Sequence, residues 1–422
     1  MDITTQIIDG GITAGVSPMR ESNSVAVGFW MRIGGRHESE RLGGVSHFLE
    51  HLIFKGTPTR TAARIKEAIE GVGGSMNAFT SEECTCFLAK IPKRHFEGVF
   101  EVLSDMTLNA SLAEQDLERE RQVILEEIKM VQDQPSQHVD ELLSAILWPG
   151  HPLGRPLTGT QETVSAFKRA DLSAYKNSFY TRDRMVVSAA GAVDILRLEA
   201  LVRQYLGQAM PKSDPAIEED FVPMSGAREN SLLKKSTEQT HLALGVHGFC
   251  KDHPDEAVLD LINVILGANM SSRLFTQVRE ERALAYEIGS FVRKYRETGA
   301  YIIEAGVAHH KCDEAIRVIV GELLRLCGET IGADELRRAK DFFIGQMELG
   351  LESSMSRMLW IGDHLICPGL SRNPNEIASR IEAVSDGDVR RVAAQLFKPE
   401  SLRLAAIGPQ VKKLEPRTLL AT

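Results

Sequence analysis

Basic residues, cysteines and long apolar runs are what this sequence has least of. Its 49 lysines and arginines are outnumbered by 58 aspartates and glutamates, for a formal net charge of −9. With no basic excess to neutralise phosphates, no nucleic-acid partner is expected. No stretch reaches the roughly 18 consecutive apolar residues of a membrane-spanning helix, so no membrane partner is expected either. Met1-Asp2-Ile3-Thr4-Thr5-Gln6 has neither the basic start nor the apolar run of a secretory signal, which leaves a cytoplasmic protein as the expectation. The six cysteines (84, 86, 250, 312, 327 and 367) are scattered without paired zinc spacing. Cys84 and Cys86 would share one face of a strand and are too few to hold a metal. Reduced, partly buried thiols fit a reducing compartment. Gly71 to Gly74 lacks the lysine and the Ser/Thr of a phosphate loop.

What is present is an ordinary globular composition, 43% hydrophobic and 25% charged, in 422 residues. That length exceeds what one core supports, so at least two domains are expected. Ser24 to Arg32 reads as a strand, Glu40 to Phe54 and Thr61 to Val72 as helices. Asn77 to Phe79 and Thr85 to Ile91 read as strands joined at Ser81-Glu82-Glu83, followed by helices His95 to Leu108 and Leu112 to Gln132. A proline-containing stretch without periodicity marks a linker over 211–239, between domains at 1–210 and 240–422. Beyond it the order returns: strand Thr240 to His247, helices Asp255 to Leu266 and Ser272 to Arg282, strands Tyr286 to Lys294 and Ala300 to Ala308, helix Cys312 to Leu326. Helix, strand, strand and helix recur at similar spacing in Arg60 to Met106 and Ser272 to Leu326. The expected fold is α+β: two similar domains, each a mainly antiparallel sheet packed with helices, from a duplicated unit.

His47-Phe48-Leu49-Glu50-His51 places two histidines four residues apart on one helix, so both imidazoles project from one face. That is the reach needed to share one zinc ion at about 2.0–2.1 Å. Glu50 is displaced around the same face, able to take a proton without binding the ion. The order H-x-x-E-H is that of the inverzincins. Two histidines leave a catalytic zinc one protein ligand short. Candidates stand on the charged helix Glu118 to Glu127, where Glu120 and Glu127, seven residues apart, lie on one face. The bland alternative for the pentapeptide is a solvated helix carrying two surface histidines.

The motif and its flanks resemble the pitrilysin or insulinase-type metallopeptidases, in particular the short-chain subfamily of the mitochondrial processing peptidase. The flanks are Gly43-Gly44-Val45-Ser46, Leu52 to Thr57, Gly73 to Thr80 and His151-Pro152-Leu153-Gly154-Arg155-Pro156. Only Ile8-Asp9-Gly10-Gly11-Ile12-Thr13, read as a first strand, matches the family's opening loosely. In that family the glutamate ligand follows the second histidine by about 76 residues, which falls on Glu127. The resemblance therefore implies His47, His51 and Glu127 as ligands of one Zn2+ per chain, Glu50 as general base, and Glu120 as support behind the ligands. It also implies that Asn77, Ala78 and Phe79 form a sheet edge onto which the substrate peptide adds as a strand. Arg279 and Tyr286, seven apart in the second half, match a family pair that holds the substrate carbonyl and the oxyanion. The second half has no H-x-x-E-H; Leu259 to Ile265 reads as apolar packing.

The expectation is a zinc endopeptidase that cuts extended peptides or unfolded segments inside a dimer chamber. This chain carries both the zinc residues and the Arg/Tyr pair, so a homodimer is favoured over a heterodimer with a homologous chain. The rival from another class is a non-catalytic scaffold subunit, whose metal motif would be damaged. His309-His310, adjacent in sequence, cannot chelate together from a strand, and Trp30 and Trp360 read as packing residues.

Overall fold

The computed structural model describes residues 1–207, 209–211, 230–367, 373–414 and 418; most of the expected linker, 212–229, lies outside the described residues. The chain forms two compact units, and each has the expected α+β character. The first comprises Met1–Lys129, Arg155–Glu219 and Leu349–Asn373; the second comprises Met130–Gly154, Asp220–Glu348 and Pro374–Thr422. These differ from the expected spans 1–210 and 240–422 by two exchanged segments, 130–154 and 349–373, and the expected linker 211–239 is divided between the units and contains a strand, Asn230–Lys234.

In the first unit, strands β1 (Thr4–Ile8), β2 (Ile12–Pro18), β3 (Ser24–Met31), β4 (Ser75–Thr80), β5 (Thr85–Pro92) and β6 (Met185–Gly191) form one sheet in the order β1-β2-β6-β3-β5-β4. Every neighbouring pair is antiparallel except β2 with β6. Central β3 is apolar along nearly its whole length because both of its faces are covered. One face packs on helices α1 (Val45–Ile53), α2 (Ala62–Glu70), α3 (Phe96–Asn109) and α4 (Glu114–Asp133), through Phe29, Phe48, Phe100 and Ile124. The other face, with Ala26, Trp30 and Cys86, is covered by the helix Ser354–Ile366. A Cβ on Gly362 would meet Trp30 at 2.0 Å, so only glycine lets this helix lie so close. Trp30 is buried and donates to Ser188 Oγ (2.7 Å), a packing role as expected.

The second unit holds β7 (Asn230–Lys234), β8 (Thr240–Gly248), β9 (Ala285–Lys294), β10 (Gly299–Val307) and β11 (Arg403–Gly408) in the order β7-β11-β8-β10-β9. Only β7 and β11 run parallel. The run β6-β3-β5-β4 of the first sheet and β11-β8-β10-β9 of the second follow the same connectivity, as a duplicated unit requires. One face carries the main core with the helices Glu256–Leu266 and Cys312–Gly328. The other is covered by α5 (Pro135–Leu147), whose Val139, Leu143 and Leu147 meet Ala243, Ala300 and Ile302. Each sheet thus takes the helix on its second face from the other half of the sequence. Strand alternation announces a second apolar face but does not name the helix that covers it.

Four local expectations are corrected. The expected strand Ile8 to Thr13 is the turn of a hairpin: Ile8 pairs with Ile12, and Asp9 and Gly10 take positive φ values of 47° and 69°. The helix expected from Glu40 begins only at Val45, because Gly44 is left-handed at φ 92°. The helix expected from Leu112 begins at Glu114, since Leu112 itself has φ 44°. Ser272 to Arg282 contains a wide π-helical turn, Phe275–Glu280, in place of a regular helix. His309 and His310 lie in a short 3-10 turn, where His309 meets Thr240 Oγ1 (2.9 Å) and the Thr237 carbonyl (3.0 Å).

Candidate metal centre

Helix α1 is amphipathic: Val45, Phe48, Leu49 and Leu52 are buried, and His47, Glu50 and His51 emerge on the remaining face. Helix α4 anchors through Leu117, Ile124 and Ile128 and turns Glu120 and Glu127 toward α1. Glu127 Oε2 stands 3.7 Å from His47 Nε2 and 3.8 Å from His51 Nε2. The two rings are 4.7 Å apart, edge to face. One ligand atom from each of His47, His51 and Glu127 lies within 4.8 Å of the others. Ligand atoms about 2.0–2.1 Å from a tetrahedral zinc stand roughly 3.4 Å from one another, so this set closes on a zinc ion with small side-chain adjustment. Among the described residues this is the one group of three or more His, Cys, Asp or Glu side chains able to hold a metal.

Charge and hydrogen bonding suit that role. Burial, reinforced by His51, holds the His47 imidazole down at about 4, so it is neutral and has a lone pair to offer at physiological pH. Glu120 is buried and does not point at the same space. Its Oε2 lies 3.1 Å from His51 Nδ1 and its Oε1 takes Lys55 Nζ at 2.7 Å. This carboxylate fixes the ring and tautomer of His51 from behind, the usual companion of a metal-ligating histidine. His47 Nδ1 is also buried but has no hydrogen-bond partner among the described residues.

Glu50 sits beside this cluster. Its Oε2 accepts a 2.7 Å hydrogen bond from Thr80 Oγ1 at the end of β4. Burial pushes its carboxyl above the usual carboxylate range, against the opposing effects of Thr80 and His51. Strand β4 ends the sheet, so among the described residues its outer edge has no strand partner. Asn77 is exposed, Ala78 and Phe79 are half-buried, and the Ala78 N–H is taken by Asn77 Oδ1 at 2.9 Å. The structure thus gathers His47, Glu50, His51, Glu120, Glu127 and the 77–80 strand in one unit.

Arg279 and Tyr286 lie together in the second unit. The Arg279 guanidinium sits 5.1 Å from the Tyr286 ring and 4.8 Å from the Phe275 ring. Tyr286 is 74% exposed, an unusual setting for a large aromatic side chain that serves packing alone. Sequence reasoning gave no role to Thr80, Lys55 or Glu38. Thr80 was within the quoted strand, and its place beside Glu50 follows from the register of β4 against α1. The signal for Glu38 is indirect: Gly43-Gly44 gives α1 no capping side chain.

Comparison with known proteins speaks to the family and the fold. Residues 16–161 match the family described as Insulinase (Peptidase family M16), and residues 166–343 match Peptidase M16 inactive domain. The chain is 37% identical over 403 residues to an uncharacterized zinc protease of Bacillus subtilis, covering 94% of this chain and 96% of that one. It is 35% identical over 415 residues to an uncharacterized zinc protease of Mycobacterium leprae, covering 98% and 93%. Among solved structures, a protease from Helicobacter pylori matches with a TM-score of 0.88 at 20% identity, over 96% of this chain and 99% of the other. The peptidase M16 inactive domain from Pseudomonas fluorescens matches with a TM-score of 0.90 at 18% identity, over 97% and 98%. At these identities the solved structures speak for the fold, and the sequence relatives for the family. The chain belongs to peptidase family M16, the insulinase family.

Proposed function

We propose that the protein is a zinc metalloendopeptidase that binds one Zn2+ through His47, His51 and Glu127 and cleaves extended peptides or unfolded segments. The observation that carries this reading is the convergence of those three ligand atoms beside Glu50 and the open edge of β4. A zinc ion held there supplies a Lewis acid that acidifies a water and polarises the scissile carbonyl. An extended peptide pairs with the free edge of β4 along Asn77, Ala78 and Phe79, displacing the Asn77 side chain from the Ala78 N–H. Glu50, held by Thr80, accepts the proton of the attacking water and passes it to the leaving amine. Arg279 and Tyr286 donate to the developing oxyanion; their stacking, the exposure of Tyr286 and the family spacing support this assignment.

A chain carrying both the metal ligands and the Arg/Tyr pair suits a homodimer enclosing a chamber, with a heterodimer as the alternative; the mass of the purified protein in solution tells them apart. Six cysteines scattered without paired spacing fit a reducing compartment such as the cytoplasm. Among the described residues no helix is long and apolar enough to cross a membrane.

The test pairs zinc content with hydrolysis of a quenched-fluorescent peptide library, for the wild type and for Glu50→Gln. About one zinc per chain is expected in both, with cleavage in the variant reduced by about 10²–10⁴-fold. Absence of zinc from the wild type would overturn the metallopeptidase reading. Undiminished cleavage by the variant would remove Glu50 as base.

A further inference from the structure

Helix α1 carries two of the three ligands, yet its start has no conventional cap. Its N-cap position is Gly44, at φ 92°, with no side chain to accept the first N–H groups. A Cβ there would meet the Thr158 carbonyl oxygen at 2.6 Å and the Gly159 backbone at 2.8 Å, so the fold leaves no room for a serine or aspartate. The acceptor comes from Glu38, six residues earlier. Its Oε2 takes the Gly44 N–H at 2.7 Å and its Oε1 takes the Ser46 N–H at 2.8 Å. Both carboxylate oxygens are used, one on each side of the helix start.

Glu38 is only 5% exposed, and its backbone carbonyl accepts in turn from Arg155 Nη1 at 3.0 Å. Ser46, adjacent to His47, is 1% exposed and is tied through Oγ to the Tyr175 hydroxyl at 3.0 Å. A buried carboxylate is costly, and here two N–H bonds and the positive end of the helix dipole offset part of that cost. The first turn of α1 is therefore clamped from Glu38 and from Tyr175.

The two ligand histidines are oriented in different ways. Glu120 holds the His51 ring through Nδ1. His47 Nδ1 has no such partner among the described residues, so its ring direction depends on where the backbone of the first turn puts it. We propose that Glu38 is a positioning residue of the metal centre, fixing the first turn of α1 and hence the His47 imidazole by gripping the N–H groups of Gly44 and Ser46. This rests on the reading of His47, His51 and Glu127 as metal ligands.

The test measures zinc affinity by competition with a chromogenic chelator, and the visible absorption spectrum of the cobalt(II)-substituted protein, for the wild type and three variants. Glu38→Gln keeps the shape but turns an amide N–H₂ toward a backbone N–H. Glu38→Asp keeps the charge but is too short to reach both donors, and it serves should Glu38→Gln fold poorly. Asp194→Ala removes an ordinary cap, the 2.8 Å acceptor of the Arg197 N–H on the helix Ile195–Val202, and lowers stability away from the metal. Zinc affinity is expected to fall by about 10–100-fold in Glu38→Gln, less in Glu38→Asp, with an altered cobalt spectrum in both. Asp194→Ala should keep the wild-type affinity and spectrum. Wild-type affinity and spectrum in a folded Glu38 variant would overturn the proposal and leave the ligand assignment standing, as would an equal loss in Asp194→Ala. A wild type that binds neither metal would remove the ligand assignment, and the proposal with it.

Discussion

The two units place a helix against the edge strand of a sheet of the same connectivity, and they use its polar positions in opposite ways. In the first unit, α1 meets β4 through one hydrogen bond, Thr80 to Glu50, and keeps the Nε2 atoms of His47 and His51 aimed at Glu127. In the second, the helix Glu256–Leu266 is fastened to β9. Lys294 Nζ lies 2.7 Å from Asp260 and 3.0 Å from Glu256, and Ser290 Oγ donates to Asn263 at 2.7 Å. Those two carboxylates raise the Lys294 ammonium against burial, so it stays charged. Every polar group on that helix face is spent on holding the helix. The first unit leaves three polar atoms, one each from His47, His51 and Glu127, close enough together that they could hold a metal ion.

The sharpest way to break the comparison is to remove the metal or a ligand. Chelation, or His51→Ala, is expected to abolish peptide hydrolysis. Zinc added back should raise the melting temperature of the wild type by mass action and leave that of His51→Ala unchanged. A zinc-dependent shift in His51→Ala would mean that the ion binds elsewhere.

Lys294→Met attacks the other unit. It leaves Asp260 and Glu256 without their cation and should cost about 3–5 kcal/mol in a denaturant titration, with zinc affinity unchanged. A loss of zinc at native conditions would show that the latch also serves the metal site.

Glu38 gives a pH signature confined to the first unit. Burial raises its carboxyl to about 7 from an ordinary value of 4.5, against the two N–H bonds. A carboxyl that binds its proton more tightly folded than unfolded contributes stability that is complete below pH 4.5 and is lost as pH rises through about 7. The slope is at most about 1.4 kcal/mol per pH unit. Unfolding measured between pH 5 and 7.5 should show this fall in the wild type and a flatter profile in Glu38→Gln; identical profiles would assign the slope to another group.

The smallest effect is expected from Thr80→Val, which removes one hydrogen bond to a charged group. Hydrolysis should drop about tenfold, in line with roughly 1.5 kcal/mol for such a bond, with zinc affinity intact. An unchanged rate would mean that Glu50 is placed by burial alone.

Much of this site was legible in the chain because its geometry is local. Spacing of three and four residues on a helix brings His47, Glu50 and His51 onto one face wherever the helix goes. Glu120 and Glu127 share a face for the same reason, but periodicity gives them equal claims. The family resemblance pointed to Glu127, and packing separates the two: Glu127 Oε2 faces both Nε2 atoms, whereas Glu120 turns to Nδ1 of His51 and to Lys55. The starts of α1 and α4 were misplaced because left-handed Gly44 and Leu112 interrupt an otherwise helical pattern.

The sequence by itself determined the α+β class, the repeated order of strands and helices, and the metal motif, since each depends on periodicities that neighbouring residues impose. Only the tertiary structure decided which helix covers the second face of each sheet, that Glu38 caps α1, that Thr80 holds Glu50, and that Lys294 occupies the polar face of the second unit's helix. Each of these joins residues distant in the chain, where burial and hydrogen-bond geometry choose among partners that local pattern leaves equivalent.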